Sequence, residues 1–237
     1  MRTSNKILLT VGAGTVLFVF LLSVAVKFMP EKMKSIIESH GESSIRETRT
    51  VSLGAFNEIL VKGYWEISLV QGDTYRVEID APKDDIEKIL VEKKGSTLLL
   101  DSKTKSQDSD SSGRQKVSIS LPLISQIDLS GITKLKFSGF SNEALSVNFD
   151  GVTSISGTDS KIQNLSIIGK GIFSADLSDT PVTNAMIQCE GTYTMDLLMN
   201  GGRLSGNLKG VGKLSYQGNV SVNEIQVENP ESKVVKR

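Results

Sequence analysis

The chain has 237 residues, 38% of them hydrophobic and 23% charged, with 27 basic against 27 acidic side chains and a formal net charge of zero. That size suits one or two globular domains plus an appendage, and the balanced charge, without any basic cluster interleaved with aromatics, excludes an overall electrostatic footprint for nucleic acid. A single cysteine, Cys189, excludes an intramolecular disulfide framework.

In chain order, a short tail (residues 1–6) precedes an uncharged apolar run, Ile7 to Val26, long enough to cross a bilayer as a helix. Lys6 and Lys27 bracket it, no A-x-A cleavage site closes it and no cysteine lies near it, so the expectation is an uncleaved, single-pass signal anchor. The large C-terminal part is then expected outside the cell membrane, periplasmic or extracellular. Residues 27–49 are charged and Ser-rich and read as a juxtamembrane linker. His40, the only histidine, falls in that linker, which removes a Ser-His-Asp triad, a Cys-His dyad and a His-rich metal site from the folded part.

Residues 50–123 alternate at period two without an evident glycine repeat, with Gln71-Gly72-Asp73 and Lys94-Gly95-Ser96 suited to hairpin turns. They are expected to form an antiparallel N-terminal β cap. Tyr64, Trp65 and Tyr75 cluster there and are expected to cover the open end of the structure that follows; an aromatic ligand patch is the sharper alternative. Ser102 to Gln115 contains no apolar residue and reads as a mobile loop. Within it Asp108, Asp110, Ser112 and Gly113 match the opening of a calcium loop, but Ile119 stands where the bidentate glutamate belongs, so no metal site is assigned.

From Ile127 to Tyr216 glycines recur at Gly131, Gly151, Gly171 and Gly191, with Gly210 closing the series, and their neighbours recur with them. Four residues earlier stand Ile127, Val147, Ile167, Ile187 and Gly206; two earlier, Leu129, Phe149, Gly169, Cys189 and Leu208. One later come Ile132, Val152, Ile172, Thr192 and Val211, and four later Leu135, Ile155, Ala175, Met195 and Leu214. Short alternating runs hinged at a glycine, repeated at about 20 residues per coil, predict an all-β, parallel β-helix-like solenoid over residues 124–230, followed by a C-terminal tail at 231–237. Gly171 is expected at positive φ and to resist substitution more than Gly169, and Ile167 is expected in the core between Val147 and Ile187.

Stacked coils make residues one period apart into neighbours at about 4.8 Å. The position before each glycine reads Ser130, Asp150, Lys170, Glu190 and Lys209, a ladder whose last four members alternate in sign. Asn164 with Asn184 suits a corner ladder, and Asp128 with Asn148 or Gln188 with Asn207 suits contact with a repetitive ligand; the plain alternative is a solvated sheet face. Asp159 with Asp179 would be adjacent carboxylates, the separation that retaining glycosidases use, though no orienting third group accompanies them. Cys189 sits on an inward position and reads as a small core hydrophobe.

Three segments carry a family resemblance: FNEILVKGYWEISLVQGDTYRVEIDAP (Phe56 to Pro82), VSISLPLISQIDLSGITKLKFSGF (Val117 to Phe140) and GKLSYQGNVSVNEIQVEN (Gly212 to Asn229). Together they are similar to the putative auto-transporter adhesin head domain, also called the GIN domain. The resemblance spans about residues 50–230 and rests on a diffuse pattern. It implies a bacterial, exported, β-helix-like domain, with right-handed coiling, found behind signal sequences or membrane anchors. It carries no catalytic residue onto this chain, and the missing lipidation cysteine does not point to outer-membrane attachment. The expected whole is therefore a right-handed solenoid with an antiparallel cap, preceded by one transmembrane helix. Its expected role is a non-catalytic cell-envelope binding or structural module without metal or cofactor. Expected contacts are polysaccharide, protein or further copies of itself, and a polysaccharide-cleaving β-helix enzyme is the alternative.

Overall fold

Alternating apolar and polar side chains make strands almost everywhere in residues 45–102 and 114–237, which are the residues the computed structural model describes. The strands are β1 (Arg46–Val51), β2 (Glu58–Gln71), β3 (Arg76–Pro82), β4 (Ile89–Lys94), β5 (Thr97–Ser102), β6 (Gln115–Leu121), β7 (Gln126–Ser138), β8 (Ser141–Thr158), β9 (Lys161–Asn200), β10 (Arg203–Asn219), β11 (Val222–Val227) and β12 (Lys233–Lys236). One short helix, α1 (Lys83–Ile86), interrupts them.

From β2 upward the ladder is parallel, and coil lies on coil. Ile59 pairs with Ile127, Ile127 with Val147 and Val147 with Ile167, while Gly63, Gly131, Gly151 and Gly171 form the column beside them. β9 alone supplies two coils, and β10 continues the column by setting Gly210 on Gly191. β11 and β12 together lie on β10 in parallel register. The side chains at even offsets from each glycine point inward and build one continuous core of Ile, Leu, Val and Phe. Ile167 is 1% exposed, as its place in the repeat predicts.

The column needs glycine for two reasons that act together. Gly171 has φ +120°, and a Cβ built on it would stand 2.0 Å from the carbonyl oxygen of Gly151. The first cost is conformational, and the second is a collision with main chain that cannot move without opening the ladder. Gly169 behaves differently from expectation. The sequence separates it from the column, yet a Cβ there would meet the Phe149 carbonyl at 2.3 Å and its ring at 2.6 Å. Phe149 pairs directly with Gly169, tips into the space that the missing side chain leaves, and stacks on Phe173 at 4.3 Å. Phe137 over Gly157 and Tyr193 against Gly212 repeat the device.

Three expectations are corrected. The preceding transmembrane helix is not supported: among the described residues no helix is long and apolar enough to cross a membrane, α1 having four residues where a span needs about 20. The run at 7–26, the linker as far as residue 44 with His40, and the loop residues Asp108, Asp110, Ser112 and Gly113 lie outside the described residues, whereas the linker's last residues, from Arg46, belong to β1. Secondly, β2 is no antiparallel cap strand. It is a coil in register with β7, and Gly63 (φ +106°) is a column member hidden from the period by the strands that separate it from Gly131. Below it β5 and β6 share one further coil, both parallel to β2. Antiparallel pairing is confined to β1 with β3, β3 with β6, and β4 with β5. Thirdly, Trp65 does not close the solenoid's end: it is fully buried inside the β2 coil, paired with Thr133 above and Gln115 below, its indole N–H donating to the Lys62 carbonyl at 2.9 Å. Tyr75 instead packs on Phe56 at 5.3 Å.

Two expected outcomes test this core. Ile167→Asp should lower stability by about 4 kcal/mol or more, because it places an unpaired carboxylate between apolar rows; unchanged urea unfolding would remove Ile167 from the core. Gly171→Ala should cost more than Gly201→Ala, since Gly201 (φ +93°) has nothing within 4 Å of a built Cβ and carries only the conformational penalty of about 1–2 kcal/mol. Equal shifts in thermal midpoint would show that the approach of Gly151 does not matter.

Candidate functional site

Because alternation runs through each glycine unbroken, the residues at odd offsets on both sides of the column face solvent. Two grooves follow, one on each side, running along the stack.

The first lies between the row three before the glycine and the row one before it, with the inward row two before it as floor. One ridge is Asp128, Asn148, Ile168, Gln188 and Asn207; the other is Ser130, Asp150, Lys170, Glu190 and Lys209. Leu129, Phe149, Gly169 and Cys189 make the floor, Leu60 lies at the lower end, and the groove encloses about 680 Å³. It crosses six coils, hence about 24 Å of stack. Gly169 contributes no side chain, and the Phe149 ring below it takes that place in the floor.

The ridges are polar ladders. The Asn148 amide donates to Asp128 at 2.7 Å, and the Gln126 amide holds the other Asp128 oxygen at 2.8 Å, so the expected stack is present. Gln188 and Asn207 are paired in register, but the Asn207 amide donates upward to Glu228 at 2.8 Å. In the sign-alternating row, Lys170 is 3.7 Å from Asp150, while Lys209 turns away from Glu190 and sits 3.4 Å from Glu228. These contacts are well exposed and contribute little stability. The Asn207 amide, and after it Lys209, holds the Glu228 carboxyl below its ordinary value. The Asp176 carboxyl is lowered too, chiefly by the Ser178 hydroxyl, with the Ser178 N–H adding to it. A general acid requires a shift in the opposite direction.

The second groove lies over the row one after the glycine, with Thr133, Thr153, Phe173 and Tyr193 as its floor. Sequence reasoning grouped Ile132, Val152, Ile172 and Val211 with the apolar repeat without placing them; the structure puts them outside, at 37% or more exposure. Counting parity from the glycine finds them, since one is odd and the inward offsets are even. A third depression runs along the Asn184–Asn164 ladder, where the Asn184 amide donates to Asn164 at 3.0 Å and the Asn164 amide to the Glu143 carbonyl at 3.1 Å.

Asp159 and Asp179 are not brought into any of these grooves. Asp159 occupies the corner after β8 in the left-handed region (φ +49°), and both carboxylates are exposed. Among the described residues no three His, Cys, Asp or Glu side chains are placed to hold a metal ion. Cys189 is buried, and burial pushes its thiol up to about 12.

Fold and surface together define a parallel β-solenoid that presents ridged, grooved faces. The chain belongs to the family described as putative auto-transporter adhesin, head GIN domain, whose model matches residues 55–230. Among solved structures it is similar to a putative adhesin from Bacteroides fragilis, with TM-score 0.61, 15% identity and coverage of 81% of this chain and 97% of that one. It is also similar to a putative lipid binding protein from Parabacteroides distasonis (TM-score 0.48, 14% identity, 81% and 96% covered). A putative adhesin from Parabacteroides merdae matches with TM-score 0.47 at 16% identity, 81% and 96% covered. At 15% identity the likeness to the Bacteroides fragilis protein speaks for the fold alone. A comparison with curated proteins finds no match.

The thiol gives a check on the floor of the first groove. With its pKa raised, Cys189 stays protonated through pH 9, so a thiol-exchange reagent at pH 8 should leave the native protein unlabelled and react once it is denatured. Rapid stoichiometric labelling of the native protein would show that the floor is open.

Proposed function

We propose that this chain is a non-catalytic binding head of the cell surface or envelope, and that it holds a neutral, hydroxyl-rich polymer, a glycan strand, in the first groove. The observation that carries this reading is the pair of ridges flanking a continuous groove across six coils, with Asp128, Asn148, Gln188 and Asn207 on four of them and Leu60 and Ile168 in the same row on the other two. A repeating ligand whose monomers are spaced like the strands meets a polar side chain at each step from Ser130 to Lys209 on one ridge, and on the other meets donors and acceptors on both sides of an apolar contact at Ile168. Asp128, Asp150 and Glu190 face Lys170 and Lys209 across the same surface, so no single sign dominates and a polyanion gains nothing over a neutral chain. The adhesin-head family supports a binding role at the cell surface or envelope. Cleavage has less to stand on, because Asp159 and Asp179 are exposed outside the grooves.

Titrating the full-length protein with neutral and acidic oligosaccharides of increasing length tests the reading. Affinity should rise with chain length for neutral glycans and fall about threefold to tenfold in Asn148→Ala and Gln188→Ala, each of which removes one neutral hydrogen bond. Ile172→Ser, in the second groove, should bind as the wild type does. Absence of length-dependent binding, equal loss in Ile172→Ser, or release of new reducing ends would overturn the proposal.

A further inference from the structure

The second groove is chemically unlike the first. Ile132, Val152, Ile172 and Val211 are 49%, 41%, 57% and 42% exposed, and register sets Ile132 on Tyr64, Val152 on Ile132 and Ile172 on Val152. Steps of about 4.8 Å set Ile132, Val152 and Ile172 along about 10 Å, and Thr192 separates them from Val211, about 19 Å from Ile132. Scattered exposed aliphatics are ordinary; an aligned row of them marks a contact surface. The groove above it encloses about 340 Å³ and carries hydroxyls on its outer wall, where the Ser174 hydroxyl donates to Ser154 at 3.1 Å.

One end is closed by a cation held on an aromatic ring. The Arg114 guanidinium lies 4.8 Å from the centre of the Tyr64 ring, and its Nη2 donates to the Tyr64 hydroxyl at 2.6 Å. The Arg114 main chain is fixed as well, its carbonyl accepting from Arg46 at 3.0 Å. Lys134 stands on the same end of the wall, one coil above Glu66, and among the described residues no Asp or Glu lines the groove. Among the described residues, neither Arg114 nor Lys134 has a carboxylate within ion-pair distance, whereas Lys136 on the same strand reaches Glu66 at 3.9 Å. Positive charge is thus gathered at one end of an aliphatic track.

That asymmetry selects the ligand. A sugar polymer would leave hydroxyls unpaired against Ile and Val, which is costly. A polyanion would call for a cation at each coil, and the aliphatic row supplies none between Arg114 and Val211. A single anionic head followed by a hydrocarbon chain satisfies both halves: the head takes charge-assisted hydrogen bonds from a planar fork, and the chain covers the aliphatic row. We propose that this groove binds a long-chain fatty-acid anion, its carboxylate at Arg114 with Lys134 alongside and its chain along Ile132, Val152 and Ile172. The inference concerns a different surface from the glycan groove and stands or falls separately from it.

Trp65, the chain's only tryptophan, lines the closed end of this groove and serves as the reporter. The full-length protein is titrated with dodecanoate below its micelle concentration, with dodecanol and dodecyltrimethylammonium as uncharged and cationic probes, following Trp65 emission and heat. Dodecanoate should bind saturably, and the other two at least about tenfold more weakly, the factor expected for losing a charged hydrogen bond. Arg114→Gln should remove that preference, and Ile172→Ser, at a fully surface position, should weaken dodecanoate several-fold while leaving thermal unfolding unchanged. Lys170→Gln, in the first groove, should bind dodecanoate like the wild type. The proposal is overturned if no saturable binding is seen, if Arg114→Gln binds as tightly as the wild type, or if Lys170→Gln loses as much as Ile172→Ser. It is also overturned if sedimentation shows a dimer that Ile172→Ser dissolves, since a second copy would then be the occupant.

Discussion

The constraint on which the structure depends is the contact between one glycine and the carbonyl of the glycine beneath it. A parallel ladder fixes the separation of successive coils at about 4.8 Å, and at the corner the chain turns so that a side chain would point along the stack. There is no space in that direction: built Cβ atoms on Gly131, Gly151, Gly171, Gly191 and Gly210 all fall 2.0–2.4 Å from the preceding carbonyl oxygen. The column therefore fixes the register as well as the turn. A slip by one residue would set a side chain into that carbonyl and at the same time move every inward residue to the surface.

Fixed register has consequences inside the stack. Each inward row is a column of its own, and bulky side chains are accommodated by an absent one directly above. Phe149 with Gly169 and Tyr193 with Gly212 each set a residue without a side chain directly above a ring. Where rings do follow a small residue, as Phe173 follows Thr153, the ring finds Phe149 as a stacking partner across the corner. The ends are handled by a change of pairing and by charge. Below, antiparallel β1, β3 and β4 stop the parallel ladder, with Arg46 clamped to Asp80 at 2.9 Å. Above, β11 carries Glu224, with Glu228 just beyond it, and β12 carries Lys233 and Lys236; Arg203 reaches Glu224 at 2.5 Å and Arg237 reaches Asp196 at 2.9 Å, charges that discourage a further strand from adding.

The upper five coils were legible in the sequence because their period is uninterrupted and the corner glycine tolerates no substitute. The Asn164–Asn184 and Asp128–Asn148 stacks were legible for the same reason. The β2 coil was not, although Val61-Lys62-Gly63 matches Leu129-Ser130-Gly131, because β3 to β6 intervene and the pairing spans 68 residues, 59 to 127. Two of the three pairs of the charge ladder do not form: Lys170 goes to Asp150 rather than Glu190, and Lys209 goes to Glu228, which already holds the Asn207 amide. Asp159 stands at a left-handed corner, where the inward–outward alternation that spacing arithmetic assumes does not hold. The grooves themselves depend on which row faces out, and that is a matter of parity through the glycine, which composition does not reveal.

Parity also explains why one corner can serve two chemistries. The residues immediately before and after the glycine both face solvent, and neither contributes to the core, so the fold places no demand on their polarity. Stability alone would be met by polar residues on both sides. One side is indeed polar, from Ser130 to Lys209, but the other holds aliphatic side chains at Ile132, Val152, Ile172 and Val211, each leaving much of its apolar surface in water. Thr192 breaks the row only at the coil where Tyr193 fills the floor beneath. Four exposed aliphatics in one line gain nothing for the folded chain that threonine or serine would not supply at the same positions. Their alignment is therefore better explained by what the surface meets than by what the interior needs.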